Sequence, residues 1–511
     1  MAIRLKVPLF SFHATRQVET VYLASLPLHF GPSNRSSMAV CSGALVLGID
    51  LGTSSVKTLL LRTDSDDVRV INSCCKETHA QTPCGSCPEV RGSEQDVRKI
   101  VEALNECLAS FPNKLLQLVT RIGISGQMHG VVFWKIKQGC QWSETEKGWA
   151  FQPDFVSSLV TWQDGRCSKD FLSSLPQPQT HLSVATGFGC ATIYWYLKNR
   201  PDFLEQYDVA GTIQDYVVAM LCDLKRPLMS IQNAASWGYF NTVTKSWNHD
   251  ILRDSGFPVS LLPDIGEPGG VAGRTSYQWA GIPKGTEVGI ALGDFQCSVY
   301  SSMSETTDAV LNVSTSAQLT YSLHSGFKPA DRPDPGAAVA YFPYFHNHYL
   351  AVAASLNGGN VLAEFVRMLI QWTADLGHEV TDTTVYARII NAALACNDAK
   401  LTVKPTIFGE RHMPDLLASV SNICLSELSL GHVTRSLCRG IVQNLHSMLP
   451  YEVLKEAGIM RIMGSGSALS KNEVLRQEVE KVFPLPVVYG KDVDSALGAA
   501  LVMMHRRREA H

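Results

Sequence analysis

The sequence is short of charge, of long apolar runs and of one common phosphate-binding loop. Charged residues make up only 18% of the 511 residues, and 44 basic side chains nearly balance 47 acidic ones, giving a net charge of −3. This balance argues against a protein that binds nucleic acid through bulk positive charge. No run of about 18 apolar residues occurs, so no membrane-spanning helix is expected. The pattern Gly-x-x-x-x-Gly-Lys-Ser/Thr is absent, which excludes a Walker A nucleotide site.

The 14 cysteines are spread along the whole chain rather than concentrated in a short one. That distribution argues against a disulfide scaffold and predicts reduced thiols in a cytoplasmic protein. The one close group comprises Cys74, Cys75, Cys84 and Cys87. A zinc site needs two well-spaced pairs, and the first two of these residues are adjacent, so a surface loop is the preferred interpretation.

Residues 1–43 differ in composition from the rest of the chain. They contain four basic residues and a single acidic residue, Glu19, together with several serines. This composition is typical of a mitochondrial transit peptide. An apolar strand begins only a few residues after Met38, however. The preferred prediction is therefore an extension that is disordered or an artefact of a gene model that starts too early, with targeting as the alternative.

Two segments about 265 residues apart share one pattern, in which an apolar strand leads through a turn of small hydroxyl residues to a second strand. The first runs over 45–61 and the second over 309–320. The repetition predicts two related halves. A stretch rich in proline and glycine over 262–285 predicts a boundary near residue 280. The expected domains are therefore 44–280 and 281–505.

Strand and helix patterns alternate on both sides of that boundary, which predicts α/β domains. Amphipathic helices are expected at 95–110, 360–376, 433–450 and 494–505. The chain is long enough for each half to bury its own core.

The turn of the first hairpin carries the chemistry of a phosphate site. Asp50 ends a strand, Gly52 lets a ligand approach the backbone, and hydroxyl and N–H groups follow from Thr53, Ser54 and Ser55. Such groups suit phosphate oxygens, and the Asp50 carboxylate suits Mg²⁺ held through water. A plain hairpin turn is the alternative interpretation.

A second carboxylate, Asp294, follows the apolar strand 288–292 at the start of a predicted helix. Its ordinary interpretation is a helix N-cap. If the two halves face one cleft, Asp50 and Asp294 lie at matching strand ends. One carboxylate then assists a metal and the other deprotonates a hydroxyl nucleophile. The loop Gly464-Ser465-Gly466 follows another strand and either lets the backbone lie close to a nucleoside or forms a structural turn.

Together, these segments resemble the FGGY carbohydrate kinase family of the actin-like ATPase superfamily. The resemblance rests on the Asp50 hairpin, Gly293-Asp294, the hairpin Ser314-Thr315-Ser316 and the loop 464–466, in the family's order over 44–503. It implies an α/β fold of two actin-like, ribonuclease H-like domains with a cleft between them. We expect residues 44–280 to form the half that binds the sugar and residues 281–505 to form the half that binds the nucleoside.

The resemblance also implies a role for each matching residue. Asp294 is the expected catalytic base, and Asp50 is expected to help hold Mg²⁺ through water. The phosphates and nucleoside of ATP are expected at Gly52, Thr53, Ser54, Ser55, Thr315, Ser316, Gly464, Ser465 and Gly466. The sugar pocket is expected at Gln127, Met128, His129, Trp162, Asp164 and Asp215. A polyol pocket needs such acceptors and an aromatic face, although each residue also has an ordinary reading as core, buried histidine or helix cap.

Two further segments bear on the resemblance. The family signature over 187–195 usually has lysine where this chain has Thr192, which we interpret as subfamily variation because every expected carboxylate is present. The loop Gly409-Glu410-Arg411 matches a family loop and is expected to be structural, with Arg411 paired to a buried acid.

The expected activity is ATP-dependent phosphorylation of a ketose. The closer motif match, carried by 125–130, 161–166 and 355–360, is to members that phosphorylate sedoheptulose to sedoheptulose 7-phosphate, which feeds the pentose phosphate pathway. Another ketose such as xylulose is the alternative, because xylulose kinases share the first two of these motifs. A non-catalytic actin-like nucleotide-binding protein is the remaining alternative. The expected partners are a small sugar, ATP and Mg²⁺, with no nucleic acid and no membrane, and the oligomeric state is left open.

Overall fold

The computed structural model describes residues 44–64, 67–82, 92–396, 400–490 and 494–509. The predicted extension 1–43 and the cysteines Cys84 and Cys87 lie outside these residues. Within them, every cysteine is a free thiol, as predicted, with Cys74 partly buried and Cys75 exposed. No helix in the described part of the chain is both long and apolar enough to cross a membrane.

The first half of the chain contains short and long strands in many small sheets and one large sheet. Its strands are β1 (Leu45–Leu51), β2 (Ser55–Asp64), β3 (Asp67–Glu77), β4 (Gln81–Thr82), β5 (Glu94–Gln95), β6 (Val119–Gly126), β7 (Val132–Trp134), β8 (Cys140–Thr145), β9 (Gly148–Pro153), β10 (Leu159–Val160), β11 (Val209–Gly211), β12 (Leu228–Ser230), β13 (Phe240–Asn241), β14 (Ser246–Trp247), β15 (Asp264–Gly266), β16 (Val271–Arg274), β17 (Glu287–Gly289) and β18 (Leu292–Gly293). Its helices are α1 (Val97–Ala109), α2 (Asn113–Leu116), α3 (Lys169–Ser173), α4 (Gly189–Asn199), α5 (Pro201–Leu204), α6 (Ile213–Cys222), α7 (Ile231–Ala235) and α8 (His249–Asp254), with a 3₁₀ turn at Val259–Leu261.

The second half is more helical. Its helices are α9 (Asp294–Ser302), α10 (Gly359–Asp375), α11 (Asp382–Leu394), α12 (Leu430–Met448), α13 (Tyr451–Glu456), α14 (Ser467–Lys471), α15 (Glu473–Val482) and α16 (Ser495–Glu509), with a 3₁₀ turn at Leu425–Glu427. Its strands are β19 (Asp308–Val313), β20 (Ala317–Ser322), β21 (Val339–Pro343), β22 (Tyr349–Ser355), β23 (Thr402–Lys404), β24 (Ser419–Ser421), β25 (Arg461–Ser465) and β26 (Val487–Tyr489). The four helices predicted from periodicity are confirmed as α1, α10, α12 and α16.

The two large sheets have the same internal plan. The first runs in the order β16-β17-β6-β1-β2-β3 with β18 also paired to β6, and the second in the order β21-β22-β20-β19-β25-β26. In both, an antiparallel hairpin (β1–β2, β19–β20) is extended on one side by an antiparallel strand and on the other by a parallel strand. This is the plan of a duplicated actin-like fold, and it confirms the predicted fold class.

Strand β1 is buried on both faces, which explains its almost continuous apolar sequence. Leu47 and Ile49 lie in the core that helix α1 covers, whereas Val46 belongs to a second cluster formed with helix α16. Helix α16 is seated on glycines: a Cβ at Gly48 or at Gly123 would lie only 2.1 Å from a carbonyl oxygen of that helix. The last helix of the chain therefore completes the first sheet.

The change from the first sheet to the second falls later than the predicted boundary near residue 280. Strands β17 and β18 still pair with β6, and the second sheet begins at Asp308. The stretch rich in proline and glycine forms the turn between β16 and β17 and the strands next to it. Helix α9 connects the two sheets and packs against α16, so both helices lie between the two lobes.

We expect Gly123→Ala to destabilise the protein, because the added Cβ would lie 2.1 Å from the carbonyl oxygen of Ala499 in α16. Overpacking of this kind costs about 3 kcal/mol. The thermal unfolding midpoint should therefore fall by about 5 °C. Gly336→Ala is the control, since the nearest atom to its added Cβ is a side-chain oxygen 3.4 Å away. Equal midpoints for the two variants would contradict the tight seating of α16.

Candidate active site

Asp50 lies near the end of β1, between two strands that both supply polar neighbours. Its register partners are Lys57 on β2 and Ser125 on β6. The hydroxyl of Ser125 donates to Asp50 Oδ1 over 3.0 Å, and Lys57 Nζ lies 2.6 Å from an oxygen of Asp494. Burial, opposed by the Ser125 hydrogen bond and augmented by the charge of Asp494, raises the pKa of Asp50 to about 6.

Asp294 is the first residue of helix α9, directly after β18. The N-cap is Gly293 rather than Asp294, and the Phe295 N–H donates to Asp294 Oδ1 over 2.7 Å. Burial and the charge of Asp50 raise the pKa of Asp294 to about 7. The two predicted carboxylates are therefore close enough for the charge of Asp50 to oppose ionisation of Asp294.

The hydroxyl groups of Ser125 and Ser495 link the strand end that carries Asp50 to the helix start that carries Asp294. Ser125 Oγ lies 3.2 Å from the carbonyl oxygen of Ser495, and Ser495 Oγ donates to the carbonyl oxygen of Asp294 over 3.0 Å. Ser495 is the first residue of helix α16. The beginnings of α9 and α16 thus meet at the floor of the cleft, where they bring both carboxylates together.

A set of buried amide side chains holds the segment that carries Asp294. Gln232 Oε1 accepts from the Gly293 N–H over 3.3 Å, and Asn233 Nδ2 donates to the carbonyl oxygen of Ala291 over 3.2 Å. Gln214 Nε2 lies 3.4 Å from the carbonyl oxygen of Leu292. These side-chain amides make hydrogen bonds to the backbone of the segment around β18, where the strand pairing is interrupted after β17. Sequence reasoning missed them, because isolated Gln and Asn residues form no pattern.

The second hairpin and the glycine loop lie together in the other lobe. The turn residues Thr315 and Ser316 are at the surface, and Ser465 lies at the end of β25. Gly466 has φ of 100°, and a Cβ there would lie 2.4 Å from an oxygen of Asn312, so only glycine fits. Gly464 is packed against the ring of Tyr489. The predicted phosphate and nucleoside residues of this lobe are thus brought together.

Two cavities extend from Asp294 along this lobe. One of about 510 Å³ is lined by Asp294, Phe295, Ser298, Asn312, Ser314, Gln318, Gly466 and Ser495. The other, of about 760 Å³, continues from Ser314 and Thr315 to helices α10 and α11 and to the residues that follow Gly466. Ser314 lines both cavities, so an extended ligand that reaches from Asp294 to α11 would pass along the second hairpin.

The internal repeat identifies a counterpart of Asp50 that sequence reasoning overlooked. Asn312 on β19 pairs with Gln318 on the antiparallel strand and with Ser465 on the parallel strand. Asp50 pairs in the same way with Lys57 and Ser125. Comparing the two hairpins position by position would have found Asn312. The first lobe thus has a charged set at these positions (Asp50, Lys57 and Ser125), and the second lobe has a neutral set (Asn312, Gln318 and Ser465).

The expected sugar residues 127–129 follow β6 directly. Gln127 is buried and contacts Thr53 Oγ1 at 3.5 Å, and the Met128 side chain packs against Gly293, next to Asp294. The ring of His129 stacks on Phe188 with centroids 4.4 Å apart. Burial lowers the pKa of His129 to about 4, so this side chain is neutral at pH 7.

Trp162 is not a core residue: 42% of it is exposed, and its Nε1–H donates to Thr53 Oγ1 over 3.0 Å. The first hairpin is thus connected to both Gln127 and Trp162 through one hydroxyl. This geometry places an accessible aromatic face beside the expected phosphate turn.

The side chains of Asp164 and Asp215 do not reach the cleft surface. Asp164 is fully buried and holds Arg166 through contacts of 2.7 and 3.0 Å while accepting from the Ser93 N–H. Asp215 closes a capping box at the start of α6 with Thr212, as in its ordinary reading. Its second oxygen, Oδ1, has no hydrogen-bond partner in the described structure, and burial raises its pKa to about 7.

Thr192, which departs from the family signature, and the matching loop 409–411 occupy different environments. Thr192 lies fully buried on α4 and its hydroxyl has no partner among the described residues. The expectation that Arg411 pairs with a buried acid is wrong. The buried member of that loop is Glu410, which accepts four hydrogen bonds within the second lobe, whereas Arg411 is exposed.

The first hairpin fits a magnesium ion by the chemistry of its donors. Asp50 and Asp294 supply hard carboxylate oxygens beside hydroxyl groups, and their raised pKa values show that a cation would relieve unfavourable charge. Among the described residues there is no cluster of three or more His, Cys, Asp or Glu side chains that would hold a metal by itself. The carboxylate and hydroxyl oxygens present therefore fit a hard cation such as Mg²⁺.

Comparisons with known proteins agree with this geometry. The profile of the "FGGY family of carbohydrate kinases, N-terminal domain" matches residues 45–300. A curated sedoheptulokinase from Homo sapiens is 65% identical over 466 residues, which is 90% of this chain and 98% of the relative. Xylulose kinase from Rhodospirillum rubrum has a TM-score of 0.72 at 17% identity and covers 91% of this chain and 90% of its own. Glycerol kinase from Plasmodium falciparum with ADP has a TM-score of 0.68 at 17% identity and covers 90% and 88%, so these structures show the shared fold.

We expect Asp215→Asn to change how stability depends on pH. A folded-state pKa near 7, above the usual 3.8, means that the folded protein binds a proton that the unfolded chain releases between these values. The contribution of Asp215 to stability is therefore present below about pH 4 and lost as pH rises through 7. The variant should gain stability relative to the unmodified chain between pH 5 and pH 8, measured by chemical denaturation.

Asp170→Asn is the matched control, since Asp170 also lies in the first turn of a helix but is exposed. The difference in stability between Asp215→Asn and the unmodified chain could instead be the same at pH 5 and at pH 8. That result would show that Asp215 is already ionised in the folded protein.

Proposed function

This chain belongs to the FGGY family of carbohydrate kinases, and on that basis we propose that it transfers the γ-phosphoryl group of ATP to sedoheptulose, giving sedoheptulose 7-phosphate. The observation that carries the proposal is Asp294, a buried carboxylate with a raised pKa that lines a cavity leading to the second hairpin. The 65% identity to human sedoheptulokinase supports the choice of sugar. The product would feed the pentose phosphate pathway.

Asp294 is the proposed catalytic base. As the terminal hydroxyl oxygen of the sugar forms its bond to the γ-phosphorus, its proton passes to the carboxylate and ADP departs with the electrons of the broken P–O bond. The Phe295 N–H holds Oδ1, which leaves Oδ2 for the hydroxyl. The buried amides around Gly293 restrict the position of this residue, and a raised pKa suits a group that accepts a proton near neutral pH.

The two hairpins are the proposed phosphate sites. Gly52, Thr53, Ser54 and Ser55 would contact the transferred group from the first lobe, and Thr315 and Ser316 from the second. Gly464, Ser465 and Gly466 would lie beside the nucleoside, which fits the cavity of about 760 Å³ at α10 and α11. Asp50 would hold Mg²⁺ through water, and the ion would neutralise charge on the phosphates.

The proposed sugar wall consists of His129, Trp162 and the tip of Met128, with Gln127 behind Thr53. Asp164 and Asp215 would act on this wall indirectly, the first through Arg166 and the second through the start of α6. The lobes would close over both substrates and exclude water, which limits wasteful hydrolysis of ATP. Small-angle scattering that shows no compaction with sugar and nucleotide together would rule this closure out.

Two other functions remain as alternatives with specific grounds. A kinase for xylulose is favoured by the structural likeness to xylulose kinases, although identity to them is low. A non-catalytic actin-like nucleotide-binding protein shares the hairpins, but it would have no use for a buried base beside an accessible aromatic wall.

We expect purified protein with Mg-ATP to release ADP in the presence of sedoheptulose, and Asp294→Asn to lower kcat by about 10²- to 10⁴-fold because the variant cannot accept the proton. The panel is sedoheptulose, xylulose, ribulose, fructose, glycerol and no sugar. Asp308→Asn would be a poor control because Asp308 pairs with Arg461. The exposed Asp170→Asn serves instead and should match the unmodified enzyme.

If the enzyme turns over another sugar of the panel faster than sedoheptulose, that sugar is the substrate and the proposed sugar is wrong. Nucleotide binding without turnover of any sugar would support the non-catalytic alternative and overturn the proposal.

Activity should rise with pH between about 6 and 8, because burial raises the pKa of Asp294 to about 7 and only the carboxylate accepts a proton. The measurement is kcat/KM for sedoheptulose at saturating Mg-ATP over this range. A profile that is flat from pH 6 to pH 8 would show that the base titrates outside it.

A further inference from the structure

A buried carboxylate holds the turn between β22 and α10. This carboxylate belongs to Glu410, which is only 1% exposed. Four neutral donors lie within hydrogen-bonding distance of it: Ser355 Oγ at 2.6 Å, the Leu356 N–H at 3.1 Å, Asn357 Nδ2 at 2.9 Å and Asn444 Nδ2 at 2.7 Å. Both carboxylate oxygens accept, which is the bonding of an ionised side chain. Hydrogen bonds to an ionised group are stronger than those between neutral groups, so Glu410 fixes this turn firmly.

The same turn is hydrogen-bonded to the second hairpin. The Gly359 N–H donates to the carbonyl oxygen of Ser314 over 2.7 Å. The next N–H along the chain, that of Asn360, donates to the carbonyl oxygen of Thr315 over 3.0 Å. All four residues line the cavity of about 760 Å³ that is proposed for the nucleoside. The hairpin backbone that lines this cavity is therefore held by the turn over 355–360.

Close packing prevents the turn and the hairpin from moving independently. Ser355, at the end of β22, pairs with Ala317, the first residue of β20. A Cβ at Gly358 would lie 2.5 Å from the carbonyl carbon of Ser316. Backbone segments packed this closely transmit a displacement instead of absorbing it. A change in the contacts of Glu410 would therefore displace the hairpin as well as the turn.

We propose that Glu410 is a positioning residue for ATP, which holds the second hairpin, through the turn over 355–360, in the conformation that binds the phosphates. This inference rests on the proposed function and adds a residue to its nucleotide site. As a buried side chain, Glu410 acts through the backbone of the turn and the hairpin. Only molecules with the hairpin in the binding conformation take up ATP, so a weaker hold lowers the apparent affinity in proportion to the fraction lost.

The test compares Glu410→Gln with the unmodified enzyme in steady-state turnover of sedoheptulose. The substitution keeps the size of the side chain but replaces one accepting oxygen by an NH₂ group, which only donates. The KM for Mg-ATP should rise by roughly 10- to 100-fold. Both kcat and the KM for sedoheptulose, measured at saturating Mg-ATP, should be unchanged, because bound nucleotide restores the binding conformation. An unchanged KM for Mg-ATP, or an equal rise in the KM for both substrates, would overturn the proposal.

Asn444→Ala is a milder variant that stays informative if Glu410→Gln folds poorly. It removes an amide of helix α12 that donates to both Glu410 Oε1 and Ser355 Oγ, and it leaves the carboxylate in place. The KM for Mg-ATP should rise about 5-fold, again with kcat unchanged. A lower kcat with an unchanged KM for Mg-ATP would contradict a positioning role towards the nucleotide.

Glu427→Gln is the matched control. Glu427 is also a buried carboxylate of the second lobe, and it accepts from the N–H groups of Lys400 and Leu401, which precede β23. This substitution should lower the thermal unfolding midpoint, as Glu410→Gln does, but should leave the KM for Mg-ATP unchanged. A similar rise in this KM in both variants would show that it follows from lost stability, and the inference would be wrong.

A second measurement does not depend on turnover. Calorimetric titration with the magnesium complex of AMP-PNP, a non-hydrolysable ATP analogue, is done in the absence of sugar. The dissociation constant of Glu410→Gln should exceed that of the unmodified protein by the same factor as the KM, and equal constants would refute the inference. An unmodified protein that binds the analogue but phosphorylates no sugar would instead refute the proposed function, so the two failures are distinguishable.

Discussion

The site depends on two carboxylates that are buried close together in a setting that disfavours their ionisation. Asp50 and Asp294 come from different strand ends, burial raises the pKa of both, and the charge of Asp50 raises the pKa of Asp294 further. Such a pair persists only where surrounding groups hold it, and here those groups are Ser125, the amides around Gly293 and the ion pair of Lys57 with Asp494. A cation and the phosphates that accompany it would satisfy the same groups. Two buried carboxylates with raised pKa values beside hydroxyl groups form a charge pattern that suits the metal–phosphate complex proposed above.

The duplicated fold divides the chemistry between its halves. The first copy keeps a charged set, Asp50 with Lys57 and Ser125, and the second keeps the neutral set of Asn312, Gln318 and Ser465 in the same register. A neutral set can lie beside phosphates without adding negative charge, whereas the charged set can hold a cation. One backbone plan therefore suits the two different tasks proposed above, because a few side chains at equivalent positions differ.

Much of this arrangement could be predicted from the sequence where the signal is local. The two hairpins, the four long helices and the position of Asp294 at a strand end follow from short patterns of apolar and small residues. The predicted boundary near residue 280 falls before the end of the first sheet, because the pairing of β17 and β18 with β6 is non-local and breakers mark turns within a sheet as readily as domain limits. The motif match predicts Asp164 and Asp215 in the sugar pocket, whereas the structure shows that Arg166 and Thr212 engage their carboxylates. The exposed state of Arg411 was missed for the same reason.

The position of helix α16 has a consequence for how the protein is made. This helix, near the end of the chain, covers Gly48 and Gly123 in the first sheet. During synthesis the strands β1, β2 and β6 emerge hundreds of residues before the segment that shields one of their faces, so the first lobe has an uncovered apolar surface until translation is almost complete. The nascent chain is then exposed to aggregation and is a natural client for chaperones. A premature stop codon shortly before residue 495 would leave every proposed site residue encoded and still yield a protein that cannot bury the apolar side chains on the second face of its first sheet.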